Sequence, residues 1–204
     1  MPPSKNSLAV FARFPTPGAA KTRLIPALGP EGAANLHRQM TEGAIRLAQA
    51  FCRHSDTALE ILFCGGSVAA MRQWLGPHTF IPQQEGSLGE RMSHTFRKSF
   101  AAGASKVVII GTDCPGLTLG ILGQAFAALN DHTLVLGPAL DGGYYLIGLN
   151  RPCPFLFTGI DWGTSAVLTQ TLALAQCLAV HLLPALHDID RPGDLAHLNY
   201  HPHP

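Results

Sequence analysis

Val107-Val108-Ile109-Ile110-Gly111 runs straight into Thr112-Asp113-Cys114-Pro115-Gly116, and this switch from VVIIG to TDCPG decides the fold. A β-branched run with no polar alternation is a strand buried on both faces, as in a parallel sheet. Open α/β proteins keep their ligands at the carboxyl ends of such strands. Asp113 therefore falls where chemistry is usually done. Pro115 ends the strand and biases Cys114 away from helix, so the carboxylate sits on a short, stiff turn. The plain alternative is that Asp113 only caps the helix starting near Thr118.

On either side of this stretch, strands and helices alternate. Residues 7–14, 59–64, 79–82, 133–137, 143–149 and 178–183 read as further strands. Helices are predicted over 31–53, 69–75, 119–129 and 164–176, with another running from QQEGSLGERM to about residue 102 and a last one after Pro192. Such alternation gives βαβ units, and right-handed crossovers then produce a mostly parallel sheet covered on both faces. Asp141-Gly142-Gly143 between two strands predicts a hairpin turn, and with it at least one antiparallel strand. The expected fold is α/β, a three-layer α/β/α arrangement around a mostly parallel twisted sheet. The 204 residues suffice for one substantial core, and Gly and Pro are spread along the chain rather than gathered in a linker. One domain is expected, with its core over about 6–198 and a short tail at 199–204.

A formal net charge of +1 gives no electrostatic case for nucleic acid or a membrane surface. Five scattered cysteines without a Cys-x-x-Cys pair point to neither a zinc site nor a disulfide framework, and a reducing cytoplasm is the expected location. The opening MPPSKNSLAVFARF reads as a first strand rather than a signal peptide, because Arg13 interrupts the apolar stretch. No segment approaches the length of a membrane span. Of the ten histidines, His197, His201 and His203 lie in a polar tail and most others read as solvated surface.

In PTPGAAKTRL, a glycine and small residues precede Lys21, Thr22 and Arg23 directly after the first strand, the position from which α/β proteins hold phosphates. The spacing is not that of a Walker motif. Arg13, Lys21 and Arg23 gather three cations around one loop, which favours an anion site over a merely basic surface. Near the other end, Asp188 and Asp190 are expected to diverge, with only Asp190, next to the turn, facing inward. Hard carboxylates suit Mg²⁺ or Mn²⁺, which takes one or two protein carboxylates and completes its shell with water and phosphate. Asp113 and Asp190 form such a pair, the alternative for Asp190 being an N-cap of the last helix. QQEGSLGERM and LGPALDGGYYLIGL are glycine-bearing turns at strand ends. Asp141 either binds a substrate hydroxyl or fixes its turn. Gln84 and Glu90 are weaker candidates, Glu90 being more simply a partner of the helix dipole.

Taken in order, FARFPTPGAAKTRL, EGSLGERM, VVIIGTDCPGLT, GPALDGGYYLIG, DWGTS and DIDRPGDL resemble the bacterial domain-of-unknown-function family 2064 over nearly the whole chain. That family is labelled glycosyltransferase-A-like, or nucleotide-diphospho-sugar transferase. It is similar to the 2-phospholactate and molybdenum-cofactor guanylyltransferases. The resemblance implies that Ala12, Arg13, Gly18, Lys21, Arg23, Gln84, Gly86, Gly89 and Thr112 bind nucleotide, with Lys21, Arg23 and Asp113 catalytic. It implies Asp113 and Asp190 as metal ligands, and Asp141, Gly142, Gly143, Trp162 and Thr164 on the acceptor side. Two positions depart from the family pattern. Arg13 stands where Lys is expected, and Ser87 where the family usually has Asp, which argues against a metal or ribose role for that turn.

The expected activity is that of an Mg²⁺- or Mn²⁺-dependent transferase using a nucleotide or nucleotide sugar and a small-molecule acceptor, transferring either a glycosyl or a nucleotidyl group. A non-catalytic nucleotide or nucleotide-sugar binding protein of the same fold is the competing class. A haloacid-dehalogenase-like phosphatase is disfavoured, because its nucleophilic aspartate must follow the first strand and here that strand ends in FARFPTPG. The sequence carries no signal for oligomeric state.

Overall fold

The computed structural model describes residues 6–198; the tail at 199–204, with His201 and His203, lies outside the described residues. Strands β1 (Asn6–Arg13), β2 (Thr57–Cys64), β3 (Phe80–Pro82), β4 (Lys106–Ile110), β5 (Leu134–Pro138), β6 (Tyr144–Leu149) and β7 (Val180–Leu182) form one sheet. Its order is β3-β2-β1-β4-β6-β5-β7. Every pairing is parallel except those of β6, which runs antiparallel to both β4 and β5. The helices are α1 (Ile25–Arg53), α2 (Val68–Leu75), α3 (Leu88–Ala101), α4 (Leu119–Ala128) and α5 (Val167–Leu174). No described helix is long and apolar enough to cross a membrane.

The unbroken apolar run of β4 has a direct cause. Val108 and Ile110 pack with Ile45 and Ala48 of α1, Met71 of α2 and Leu122 of α4 on one face, while Val107 and Ile109 pack with Met92 and Phe96 of α3 on the other. Leu172 of α5 and Leu156 of the 3₁₀ turn Pro154–Phe157 complete that second layer. Each fully buried aliphatic side chain contributes about 1.5–3 kcal/mol, so helices on both faces are what such a strand requires.

The hairpin expected at 141–143 forms. Asp141 Oδ1 accepts the Gly143 N–H at 2.8 Å, Gly142 takes φ 93°, and the β5–β6 register slips at Gly137/Pro138. A Cβ on Gly142 would collide with the Ser165 backbone, so glycine is required there by space as well as by conformation. Three helix limits differ from the sequence reading. Helix α1 begins at Ile25 rather than near 31, but Gly29 (φ 68°, ψ 167°) ahead of Pro30 breaks it, so the long regular part does start where expected. Helix α5 starts only at Val167, because Thr164 donates its hydroxyl to the Asp161 carbonyl in a turn. The segment after Pro192 is a 3₁₀ turn, Pro192–His197, rather than an α-helix; none of its residues is fully buried, and its Leu195 packs only partly against an apolar cluster.

A third, smaller apolar cluster joins segments that are far apart in sequence. Leu24, Ala33, Met40 and Ile189 pack together, with Leu24, Ala33 and Ile189 fully buried. It fastens the end of the β1 loop, the start of α1 and the segment around Ile189 to one another.

Candidate functional site

The loop after β1 is compact. Thr16 O accepts the N–H groups of Ala19 and Ala20, Gly18 takes φ 79°, and Lys21 adopts a left-handed conformation (φ 50°, ψ 45°) just before the 3₁₀ turn Thr22–Leu24. Burial of Ala20 and Leu24 on either side turns the Lys21 side chain inward, where it is only 4% exposed. Its Nζ lies 2.9 Å from Asp113 Oδ1 and 3.7 Å from Asp190 Oδ1. Arg23 Nη1 meets the other oxygen of Asp190, Oδ2, at 2.5 Å. The Ile189 N–H donates to the Asp113 carbonyl at 2.9 Å, so the two carboxylate-bearing segments are joined through the backbone as well.

Neither aspartate is a helix cap. Thr118 caps α4 by accepting the Ile121 N–H at 3.2 Å, which frees Asp113 for the cleft. At the last turn Asp194 is the acceptor, its Oδ2 taking the N–H groups of Asp190 (3.0 Å) and Arg191 (2.7 Å). Burial acts to raise the pKa of that carboxyl, but the two backbone bonds together hold it below its ordinary value. Asp194 thereby fixes the backbone that carries Asp190.

The expected divergence of Asp188 and Asp190 does not occur: both line the same cleft. Residues two apart in an extended segment share a face, and the residue between them, Ile189, points into the third cluster. Asp188 is thus a site residue that the sequence reading misses. Its alternation with a buried isoleucine is the available signal. Burial, and then the nearby Asp141 carboxylate, raise its pKa above the ordinary value.

The cleft has a volume of about 660 Å³ and opens at the carboxyl ends of β1 and β4. Of the expected residues, Ala12, Arg13, Lys21, Arg23, Thr112, Asp113, Asp141, Gly143, Trp162, Thr164 and Asp190 line it. Gly18, Gln84, Gly86, Gly89 and Gly142 do not. Gln84 lines a separate cavity of about 30 Å³ beside β3, because the chain turns away there to enter α3. Gly89 instead lies against Trp162, whose ring leaves no room for a Cβ, and Trp162 packs edge-on against Tyr144 with ring centroids 6.4 Å apart. Gly142 lies beneath the cleft, its carbonyl accepting the Leu168 N–H.

Ser87 caps α3 in a closed box: its Oγ accepts the Glu90 N–H at 3.2 Å while Glu90 Oε2 accepts the Ser87 N–H at 2.7 Å. The Ser87 N–H and, at 2.9 Å, the Ser87 hydroxyl both donate to Glu90 Oε2 and hold its carboxyl below its ordinary pKa. Glu90 is a helix-start residue, as its position suggests.

Two cleft residues have no motif to announce them. His37 of α1 is 5% exposed, and its Nε2 donates to the Arg13 carbonyl at 3.0 Å. Burial lowers its pKa, leaving Nδ1 a buried lone pair without a partner. Arg91 of α3 is held by Gln83, whose Oε1 accepts from Nη1 at 2.8 Å while its Nε2 donates to the Leu62 carbonyl. At Cys114, next to Asp113, burial pushes the thiol pKa up and the adjoining Asp188 and Asp113 carboxylates push it further, which disfavours the thiolate.

Residues 45–164 match the family of uncharacterized proteins conserved in bacteria, DUF2064. None of the curated proteins matches the chain significantly. A protein from Desulfovibrio desulfuricans G20, provisionally named a nucleotide-diphospho-sugar transferase, is 35% identical in sequence. That similarity covers 96% of this chain and 86% of the other, with a TM-score of 0.88. CMP:2-keto-3-deoxy-manno-octonic acid synthetase in complex with CTP is 11% identical over 96% of this chain and 97% of its own, with a TM-score of 0.57. Glucosyl-3-phosphoglycerate synthase from Mycobacterium tuberculosis, bound to Mn²⁺, UDP and glucosyl-3-phosphoglycerate, is 12% identical over 95% and 75%, with a TM-score of 0.56. At such low identity the last two likenesses are of fold: the seven-stranded mixed sheet is that of the nucleotide-diphospho-sugar transferases.

Proposed function

The chain belongs to the DUF2064 family of uncharacterized bacterial proteins, and from that premise we propose that it is a divalent-metal-dependent transferase. In this reading it takes a nucleotide or nucleotide sugar, and a small-molecule acceptor, in the cleft at the ends of β1 and β4. The observation that carries the reading is the convergence of Lys21 and Arg23 on Asp113 and Asp190, four charged groups from three distant segments at one point.

The donor set fits a hard cation. Asp113 Oδ1 is buried and accepts no well-directed hydrogen bond, even though Lys21 Nζ is 2.9 Å away. Beyond that ion pair the oxygen keeps a lone pair for a cation, and Asp190 Oδ1 lies 3.7 Å from the same ammonium. Asp113 and Asp190 would hold Mg²⁺ or Mn²⁺, which would supply positive charge against the phosphates. Among the described residues no group of three or more His, Cys, Asp or Glu side chains is placed to hold a metal ion, so the proposed site rests on the two carboxylates alone.

The remaining roles belong to the chain itself. Arg13, Lys21 and Arg23 set positive charge where the phosphates enter, and His37 fixes the Arg13 backbone by donating to its carbonyl. Asp141, Gly143, Asp188, Trp162 and Thr164 line the same cleft and in this reading receive the acceptor. The catalytic contribution is placement of the acceptor in line with the bond that breaks, together with stabilisation of charge on the leaving group; no covalent enzyme intermediate is needed. In nucleotidyl transfer an acceptor phosphate or carboxylate oxygen attacks the α-phosphorus of a nucleoside triphosphate and pyrophosphate leaves. In glycosyl transfer the acceptor oxygen bonds to the sugar carbon while the bond from that carbon to the phosphate oxygen breaks, and a nucleoside diphosphate leaves. The triphosphate reading draws on the cationic β1 loop, the glycosyl reading on the D. desulfuricans relative.

The non-catalytic reading rests on Ser87. That side chain is part of a helix cap and lines neither cavity, which favours the enzyme.

The test is thermal unfolding with nucleoside triphosphates and nucleotide sugars, with and without Mg²⁺ or Mn²⁺, followed by product analysis for the responders. A ligand at 100 times its Kd stabilises by about 2.7 kcal/mol, a shift of several degrees. Asp113→Asn should abolish the metal-dependent part of that shift. A panel with no response would remove the reading, and binding without product would return the protein to the non-catalytic class.

A further inference from the structure

Lys21 is the only non-glycine residue with positive φ among the described residues, and its side chain is almost completely buried. A lysine in a left-handed conformation is held against its own preference, and such strain persists only where the surroundings over-determine it. Here the surroundings are buried Ala20 and Leu24 in the backbone and two carboxylates at the tip. The ammonium sits 2.9 Å from Asp113 Oδ1 and 3.7 Å from Asp190 Oδ1, against the same pair that would ligate the metal. Arg23 occupies the other oxygen of Asp190. Both loop cations are therefore already paired with carboxylates, and two positive charges balance two negative ones.

An ammonium and a divalent ion cannot share these oxygens without strong like-charge repulsion at short range. The Lys21–Asp113 contact is also the more replaceable kind: it is close but poorly directed, and it ends a flexible four-carbon stem. A nucleotide's phosphates offer that ammonium a stronger partner in the same cleft. Resting on the transferase reading of this cleft, we propose that Lys21 is the resident counter-cation of Asp113 and Asp190. It keeps the pair closed to metal until nucleotide phosphates draw it away, so that metal and nucleotide bind as a coupled pair. Coupling of this sort is reciprocal, so metal tightens nucleotide by the same factor as nucleotide tightens metal.

The experiment is titration of Mn²⁺ alone, followed by electron paramagnetic resonance of the free ion, on the wild type, Lys21→Met and Lys21→Arg. The expected result is Mn²⁺ binding at least tenfold tighter in Lys21→Met than in the wild type, with Lys21→Arg staying weak because it keeps the charge. The gained affinity should vanish in Lys21→Met/Asp113→Asn, which locates it at this pair. Lys21→Gly accepts the left-handed backbone and also removes the ammonium, so it gives the same reading if methionine disturbs the turn. Mn²⁺ affinity in Lys21→Met and Lys21→Gly that equals or falls below wild type overturns the proposal, leaving Lys21 a fixed structural bridge. That failure is distinct from failure of the transferase reading, which is decided by the nucleotide panel on the wild-type protein.

Discussion

The turns that follow β1 and β3 look alike in sequence, each a glycine-bearing loop between a strand and a helix, yet they bond in opposite ways. After β1 the charged side chains reach across the molecule, Arg23 pairing with Asp190 at a separation of 167 residues and Lys21 pairing with Asp113. After β3 the bonds close on the spot: Ser87 and Glu90 cap each other three residues apart, and Arg91 is bound to Gln83 eight residues back. The first turn faces the cleft with groups that a ligand can recruit. The second uses Ser87 and Glu90 to start α3, and its Gln83 and Arg91 reach the cleft already bound to each other. Glycine content does not separate the two, but the sequence distance over which the polar groups are satisfied does.

The largest effect should come from the joint that holds the first turn in place. Ile189→Ala empties a fully buried position shared with Leu24, Ala33 and Met40, and should cost about 2–4 kcal/mol in urea unfolding, as large-to-small core changes do. It should also weaken the nucleotide-plus-metal response, because Asp188 and Asp190 flank it. A loss of stability with ligand response intact would show that the third cluster does not position the site.

Next, Arg23→Gln should raise the dissociation constant of whichever nucleotide responds by about five- to tenfold, the usual scale for one exposed charge-assisted contact, with little change in unfolding. Ser87→Ala should do the reverse, lowering stability by about 1 kcal/mol through the lost cap and leaving nucleotide affinity unchanged. If Ser87→Ala weakens binding as much as Arg23→Gln does, the distinction between the turns fails.

The smallest effect lies in pH. His37 supports the first turn as a neutral ring with its folded pKa lowered below 6.5, so the unfolded chain binds the proton first. Its contribution is complete above about pH 6.5 and is lost as pH falls through the folded value. Glu90 in the second turn is also lowered, from 4.5, so its contribution is complete above that pH and is lost only in more acid solution. Unfolding of His37→Asn should lose the slope just below pH 6.5, and Glu90→Gln the slope below pH 4.5. Identical profiles for the two variants would contradict the assignment of each group to its own turn.

Much of the architecture is legible locally. The β4 run, the Asp141-Gly142-Gly143 hairpin and the Glu90 helix start are features of adjacent residues whose chemistry is settled within a turn or a strand. Direction and reach are harder to read. Sequence reasoning turns Asp188 away from the site although residues two apart share a face, and it draws Gln84 and Gly86 into a site that their turn leaves. Arg91 and His37 carry no motif, since a histidine on an alanine-rich helix becomes a site residue only when that helix is laid across the end of β1.

By itself the sequence determined a parallel-type sheet, its one antiparallel hairpin, and which residue types could meet phosphate or metal. The reason is that periodicity, turn chemistry and charge are properties of neighbours along the chain. Only the tertiary structure decided that Lys21 meets both Asp113 and Asp190. That placement depends on Ile189, Leu24 and Met40 finding one another in a common apolar cluster, and burial acts between segments with no regard to their distance in sequence.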